Sequence, residues 1–157
     1  VLSSYSLLII ILLIHAFLIF NVHFPFDRGD AFMEGSKETV LYALANKDKY
    51  NEIVYDPYRG LEAQDIVNIP HIYVLFYAKY DPLRYQQEIN NLTGEDIHFD
   101  KFTFRRIDWR DDKHKSGVLF IGSPWSLNEK DLKKQEILQK FYLTNGRLIL
   151  LAATPAD

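Results

Sequence analysis

A long apolar run opens the chain. Residues 1–20, VLSSYSLLIIILLIHAFLIF, contain no Asp, Glu, Lys or Arg, and about 20 such residues in a helix cross the hydrocarbon core of a bilayer. Thirteen of them are Leu, Ile or Phe, each of which favours insertion by about 0.3–0.6 kcal/mol at mid-membrane. Because this gain outweighs the cost of His15 and the serines, the pattern predicts a transmembrane helix over residues 1–22.

A secretory signal peptide is the main alternative for this run. Such a peptide carries a basic stretch before its apolar core and a small-residue cleavage site after it, and the sequence has neither. His15 is interpreted as a neutral side chain near a helix end or against a neighbouring span, rather than as a functional intramembrane group. The lipid bilayer is therefore the first predicted partner. Since the run starts at Val1 with no charged flank to orient it, we expect further spans upstream.

Residues 23–35 are predicted to be an interfacial linker, because their aromatic residues, Pro25 and Gly29 suit an exit from the membrane. Residues 36–157 are predicted to form one soluble α/β domain, whose length is typical of a single core. The chain is 48% hydrophobic and 25% charged, a balance typical of globular proteins rather than of disordered tails.

The first half of this domain alternates helical and extended patterns. Val40, Leu41 and Leu44 recur at helical spacing, and Pro70 and Pro82 each suit the first turn of a helix. The predicted elements are a helix over residues 36–49, a strand over 53–55, a loop over 58–68, a helix over 70–80 and a short helix that continues to Ile89.

The second half is predicted to be mixed. Residues 90–96 form a loop whose Asn91-Leu92-Thr93 triplet is a glycosylation sequon, which matters only in a glycosylating lumen. Adjacent strands are predicted over 99–109 and 118–121, with an exposed charged turn over 108–115. A capping box at 126–129 predicts the start of a helix that bears Leu132, Ile137, Leu138 and Phe141. A last strand is predicted over 147–151, after Asn145-Gly146. The predicted fold class is α/β, with a mixed sheet flanked by helices.

Composition excludes several classes of function. A formal net charge of −3 gives no broad attraction to phosphate backbones, so nucleic acid is not a predicted partner. The absence of cysteine excludes disulfides, thiolate zinc sites and cysteine nucleophiles. The aromatic share of 15% is explained by core packing and a belt at the membrane surface, rather than by a sugar-stacking platform.

No known catalytic or cofactor motif is present. The glycines stand too far apart to form a phosphate-binding loop, and no Gly-x-Ser-x-Gly elbow occurs, so Ser123 and Ser126 are interpreted as capping residues at a strand-to-helix turn. His71, His98 and His114 lie in different predicted elements without the spacing of a helical metal pair. We therefore predict no cofactor and no metal site.

The densest acidic group is formed by Asp108, Asp111 and Asp112. It could indicate a cation site or an acid/base pair. Basic residues are interleaved with it at positions 105, 106, 110, 113 and 115, which favours a solvated turn with surface ion pairs. No catalytic residue is predicted.

Several segments together suggest a family. After the apolar span come YNEIVYD at residues 50–56, PHIYVLFYAKYDP at 70–82 with Tyr85-Gln86 behind it, FRRIDW at 104–109 and LFIG at 119–122. This combination resembles the C-terminal end of polytopic glycosyltransferases similar to the dolichyl-phosphate-mannose protein mannosyltransferases and the bacterial aminoarabinose transferases. The resemblance covers most of residues 1–125.

The resemblance implies sugar transfer from a polyprenyl-phosphate donor on the extracytoplasmic side of a membrane. The acidic base of that family lies in its first external loop, and no position of this chain matches it. The implied role is a non-catalytic auxiliary domain, whose partners are the other spans of the same enzyme and a lipid-linked sugar donor. The alternative is a single-pass, membrane-anchored binding or scaffolding module without enzymatic activity.

Overall fold

The structure, a computed structural model, describes residues 2–29, 31, 33–59, 66–67, 69–89 and 96–156. The described elements alternate between helices and strands after an initial helical run. In chain order they are α1 Leu2–Leu18, a π turn Ile19–His23, α2 Phe24–Arg28, α3 Ser36–Asn46 with a 3₁₀ turn Lys47–Lys49, β1 Glu52–Tyr55, β2 Tyr58–Arg59, β3 Ile66–Val67, α4 Pro70–Ala78, α5 Pro82–Ile89, β4 Ile97–Phe99, β5 Phe102–Phe104, α6 Trp109–Asp112, β6 Val118–Gly122, β7 Ile137–Tyr142 and β8 Leu148–Ala153.

The N-terminal run is helical as far as Arg28. Its stretch Ser4–Arg28 is long and apolar enough to span a membrane, and the most apolar part buries nothing against the rest of the chain. The helix therefore continues beyond residue 22, into the segment predicted to be a linker. Pro25 lies in the first turn of α2, and the π turn lies just before it, where a proline removes a helical hydrogen bond and crowds the preceding turn.

A six-stranded sheet forms the centre of the domain, in the order β4-β5-β1-β6-β8-β7. β1 is parallel to both of its neighbours, β5 and β6. The outer pairs β4–β5, β6–β8 and β7–β8 are antiparallel. The mixed α/β fold class is confirmed. The predicted adjacency of residues 99–109 and 118–121 is wrong, because β1 lies between β5 and β6. Its run Ile53-Val54-Tyr55 is fully buried, as expected for an inner parallel strand.

Different elements pack against the two faces of the sheet. Successive strand residues point to opposite faces, so Tyr55 packs in the same cluster as Val40 and Val74 of α3 and α4. Val54 packs instead with Trp109 of α6 and the turns after β6. Helices therefore cover one face, while a short helix and loops cover the other.

The three helices before β4 follow the sequence pattern. α3, α4 and α5 lie where helices were predicted, and the Asp81 carboxylate accepts a hydrogen bond from the Leu83 amide at 2.9 Å at the start of α5. The segment predicted as a loop over 58–68 contains a short antiparallel pair instead, with Tyr58 opposite Val67. Residues 60–65 and 68 lie outside the described residues, as does the sequon at 91–93.

Two further predictions of secondary structure in the second half are wrong. The strand predicted over 99–109 is interrupted by a turn at Asp100, whose φ is 53°, and Trp109 begins α6. The helix predicted after Ser126 is a series of turns followed by β7, which pairs with β8. Ser126 does not cap a helix, because its hydroxyl donates to Asp56. The Lys- and Gln-rich segment before β7 has helical propensity, but the pairing of β7 with β8 outweighs it.

Polar contacts join the helical run to one end of the sheet. The Glu34 carboxylate accepts hydrogen bonds from the backbone amide of Thr144, at 2.8 Å, and from its hydroxyl. The Asn145 side chain donates to the Phe26 carbonyl at 2.9 Å. Because Thr144 and Asn145 form the turn between β7 and β8, the end of the apolar helix is fixed to this turn.

Candidate functional site

Three loops meet where the parallel strands β5, β1 and β6 end. They begin at Arg105, Asp56 and Ser123. Ligand sites of parallel sheets form outside the carboxyl ends of their strands. This edge is therefore the first place to look for function.

The Asp56 carboxylate connects the three loops. One oxygen accepts a hydrogen bond from the Tyr58 amide at 2.8 Å. The other accepts from the Ile107 amide at 3.2 Å and from the Ser126 hydroxyl. Burial raises the pKa of Asp56 above its usual value, and the three hydrogen bonds and the positive charge of Arg106 offset that rise only in part.

A groove of about 730 Å³ opens beside this carboxylate. Trp125 lies on its wall with 47% of its surface exposed, whereas Trp109 is 7% exposed and packs edge-on against Phe120 at 5.7 Å between ring centroids. The lining residues are Arg106, Ile107, Asp108, Trp109, Arg110, Lys113, Trp125, Ser126 and Asp131. The groove thus combines an exposed indole with three cations and two carboxylates.

The acidic group at 108–112 does not behave as one solvated turn. Asp108 caps α6 by accepting from the Arg110 amide at 3.1 Å, and Asp111 is exposed, as predicted. Asp112 is buried instead, which corrects the prediction of an exposed turn for this residue. Its side chain is bound by the guanidinium of Arg105 and by Lys115.

Asp112 is held tightly in this position. Arg105 donates to both of its oxygens, at 2.9 and 2.7 Å, and the Lys115 ammonium lies at 2.8 Å. Burial alone would raise the pKa of Asp112, but the hydrogen bonds from Arg105 and Lys115 outweigh it and hold the pKa below its usual value. A carboxylate held in this way closes the loop between β5 and β6 and does not serve as a base.

The two serines considered from the sequence lie close to the site but have different surroundings. Ser126 binds Asp56. Ser123 is completely buried, and its hydroxyl has no hydrogen-bond partner among the described residues. Ser123 therefore cannot reach a substrate, whereas Ser126 lines the groove with 7% of its surface exposed.

The three histidines of the α/β domain are not brought together. The ring of His71 packs edge-on against Phe104, and burial lowers its pKa. The His98 ring nitrogen lies 3.0 Å from the Thr103 hydroxyl, and His114 is exposed in the turn after α6. Within the described part of the chain, no group of three or more metal-binding side chains forms.

Local sequence patterns do not single out Asp56 as a site residue. A signal is present, because Asp56 directly follows the apolar run Ile53-Val54-Tyr55, and residues at the carboxyl ends of parallel strands meet at one edge. Periodicity alone could not show that two later strands would flank this one. The contact with Ser126 depends on that pairing.

Comparison with known proteins assigns no function to the loops at this edge of the sheet. No family model matches the chain, no characterised protein matches it, and no solved structure matches it.

Proposed function

We propose that this chain is the C-terminal, membrane-anchored part of a polytopic glycosyltransferase that uses a polyprenyl-phosphate-linked sugar. Its α/β domain is auxiliary and non-catalytic, and lies on the extracytoplasmic side. The domain supports the enzyme by covering the active-site face, ordering an acceptor or stabilising the membrane bundle.

The observation that carries this proposal is the fixed connection between helix and domain. The helix Ser4–Arg28 is apolar over most of its length, and its side chains are exposed. This is expected of a segment that contacts lipid or other membrane spans. Glu34 and Asn145 tie its end to the sheet by hydrogen bonds. These contacts place the turn between β7 and β8 next to the end of the helix.

The site chemistry supports an auxiliary role. General-base catalysis needs a carboxylate within reach of the acceptor hydroxyl. Asp56 is buried behind three donors, and Asp112 is bound by two cations. Asp108 and Asp111 remain accessible, but water screens them.

The anchor is tested by carbonate washing of membranes that contain the expressed chain. Retention in the membrane fraction is expected, and release into the soluble fraction would refute the anchor. The transferase assignment is tested on the protein encoded by the complete reading frame. We expect transfer of a labelled sugar from a polyprenyl-phosphate donor, and retained turnover when Asp108 and Asp111 are both replaced by Asn.

The competing function is a single-pass binding or scaffolding module. The groove beside Trp125 gives that alternative a specific feature. A reading frame with eight or more apolar spans upstream of Val1 would favour the transferase, whereas a start codon directly before Val1 would favour the module. Loss of sugar transfer by several orders of magnitude in the Asp108→Asn, Asp111→Asn protein, with folding intact, would instead place chemistry in this domain.

A further inference from the structure

We infer that the edge of the sheet that carries the Trp125 groove lies against the headgroups of an anionic bilayer. The inference rests on the anchoring helix of the proposed function, and adds which surface of the domain meets the membrane. The groove edge comprises the loops that follow β5, β1 and β6.

The β7–β8 turn and the groove edge lie at the same end of the sheet. β6 ends at Gly122, which is paired with Leu151 of the antiparallel β8. β8 begins three residues earlier, at Leu148, opposite Tyr142 of β7. The turn between β7 and β8 therefore projects beyond the carboxyl end of β6, by about 10 Å at 3.3 Å per residue.

The apolar helix meets the domain at this same end. Phe26 and Glu34 contact the turn through Asn145 and Thr144. Farther from the domain the helix has no buried surface in its most apolar stretch, so it leads away from the sheet instead of packing along it. With the helix in a bilayer, the groove edge faces the membrane surface.

The side chains at this edge have the composition of a membrane-contacting surface. Trp125 is about half exposed, and tryptophan is enriched at membrane–water interfaces. Ile69 and Tyr58, which lie in the connection that leaves β1 at this edge, are exposed as well. Exposed apolar and aromatic side chains at this position suit the headgroup region of a bilayer.

The charges favour an anionic surface. Arg106, Arg110 and Lys113 line the groove, against the carboxylates of Asp108 and Asp131. Asp108 is occupied in part, since it lies 3.6 Å from the Arg110 guanidinium and caps α6. Cations that lie close to an anionic leaflet are attracted to it over roughly a Debye length. Anionic phospholipid is therefore the partner to which this edge is suited.

Tryptophan fluorescence tests the inference directly, because the chain has only two tryptophans and none in its apolar helix. The full chain is reconstituted into vesicles of phosphatidylcholine and phosphatidylglycerol whose acyl chains carry bromine near the headgroup. We expect bromolipid to quench the wild-type protein, and Trp125→Phe to remove the quenched component, because Trp109 is buried.

Two charge variants provide the matched comparison. Arg110→Gln with Lys113→Gln removes two exposed cations from the groove edge. Lys49→Gln with Lys79→Gln removes two exposed lysines near the opposite end of the sheet, where β1 begins and Tyr80 packs on Phe99. The first pair should lower the quenching at least twofold and weaken its dependence on salt and phosphatidylglycerol. The second pair should leave quenching unchanged.

The failures of the two proposals are distinguishable. A chain that resists carbonate extraction but shows no quenching, or shows equal quenching in wild type and Trp125→Phe, overturns the docking of this edge and leaves the anchor intact. Equal effects of the two charge variants would also overturn it. Release of the chain by carbonate would refute the anchor, and the docking with it.

Discussion

The Ser126 hydroxyl donates a hydrogen bond to the buried carboxylate of Asp56, 70 residues earlier in the chain. This contact joins the loop after β6 to the end of β1. The Ile107 amide donates to the same oxygen from the loop after β5. One carboxylate thereby fixes the relative positions of all three loops at the groove edge.

Ser126→Ala should destabilise the domain by about 1–3 kcal/mol, because a buried carboxylate oxygen loses a hydrogen-bond donor. Urea unfolding of the detergent-solubilised chain measures the change in the free energy of unfolding. Ser116→Ala is the matched control, since Ser116 is exposed in a turn, and should change that free energy by less than about 0.5 kcal/mol. Equal effects of the two variants would contradict a structural role for the Ser126 hydroxyl.

Asp112→Asn should cost about 3 kcal/mol. That value is at the low end for breaking a buried ion pair, since the Arg105 side chain keeps 19% of its surface exposed. The remaining guanidinium would then face an amide in place of a carboxylate. Asp111→Asn, one residue away and exposed, is the control and should be close to neutral. A neutral Asp112→Asn would show that the pair contributes no net stability.

Asp56 should make the domain less stable as the pH rises. Because the folded-state pKa is raised above the usual 3.8, its contribution is full below that value and is lost as the pH rises through the folded-state pKa. The difference in unfolding free energy between wild type and Asp56→Asn should therefore shift against wild type from about pH 3 to about pH 8. The comparison isolates Asp56, since Asp112, with its lowered pKa and opposite pH dependence, is present in both proteins.

Gly35→Ala should destabilise the domain more than Gly146→Ala. Both glycines have positive φ, 85° and 82°, which costs an alanine about 1 kcal/mol. Only at Gly35 would the new methyl group meet a neighbour, the Ile149 Cγ2 atom at 3.1 Å, whereas nothing lies within 4 Å at Gly146. Thermal melts of the two variants measure the difference, and an equal fall in Tm would mean that Ile149 moves aside without cost.

The sequence predicted those elements whose signals are local. α3, α4 and α5 carry their apolar spacing and their prolines within a few residues. β6 and β8 are continuous apolar runs, as is β1 after Glu52. β7 was missed because the approach to it, rich in Lys, Gln and Glu, favours a helix by intrinsic propensity. Its strand conformation comes from pairing with β8, which local propensity cannot show.

The candidate site was predicted least well, for a related reason. Asp56, Ile107 and Ser126 lie about 50 and 70 residues apart in the chain, and each has an ordinary local explanation. The burial of Asp112 was missed because charged residues surround it in sequence. Only the loop geometry after β5 shows that Arg105 and Lys115 enclose that one carboxylate and leave Asp111 in water.

The interior position of β8 bears on how the protein is made. β8 is the last described strand in the chain, yet it lies between β6 and β7. The apolar helix is synthesised first, and β1 remains unpaired until β5 and β6 have followed. Exposed strand edges of this kind are prone to misassembly. A premature stop before residue 148 would therefore remove an inner strand, and should leave an anchored, incompletely folded product for membrane quality control to degrade.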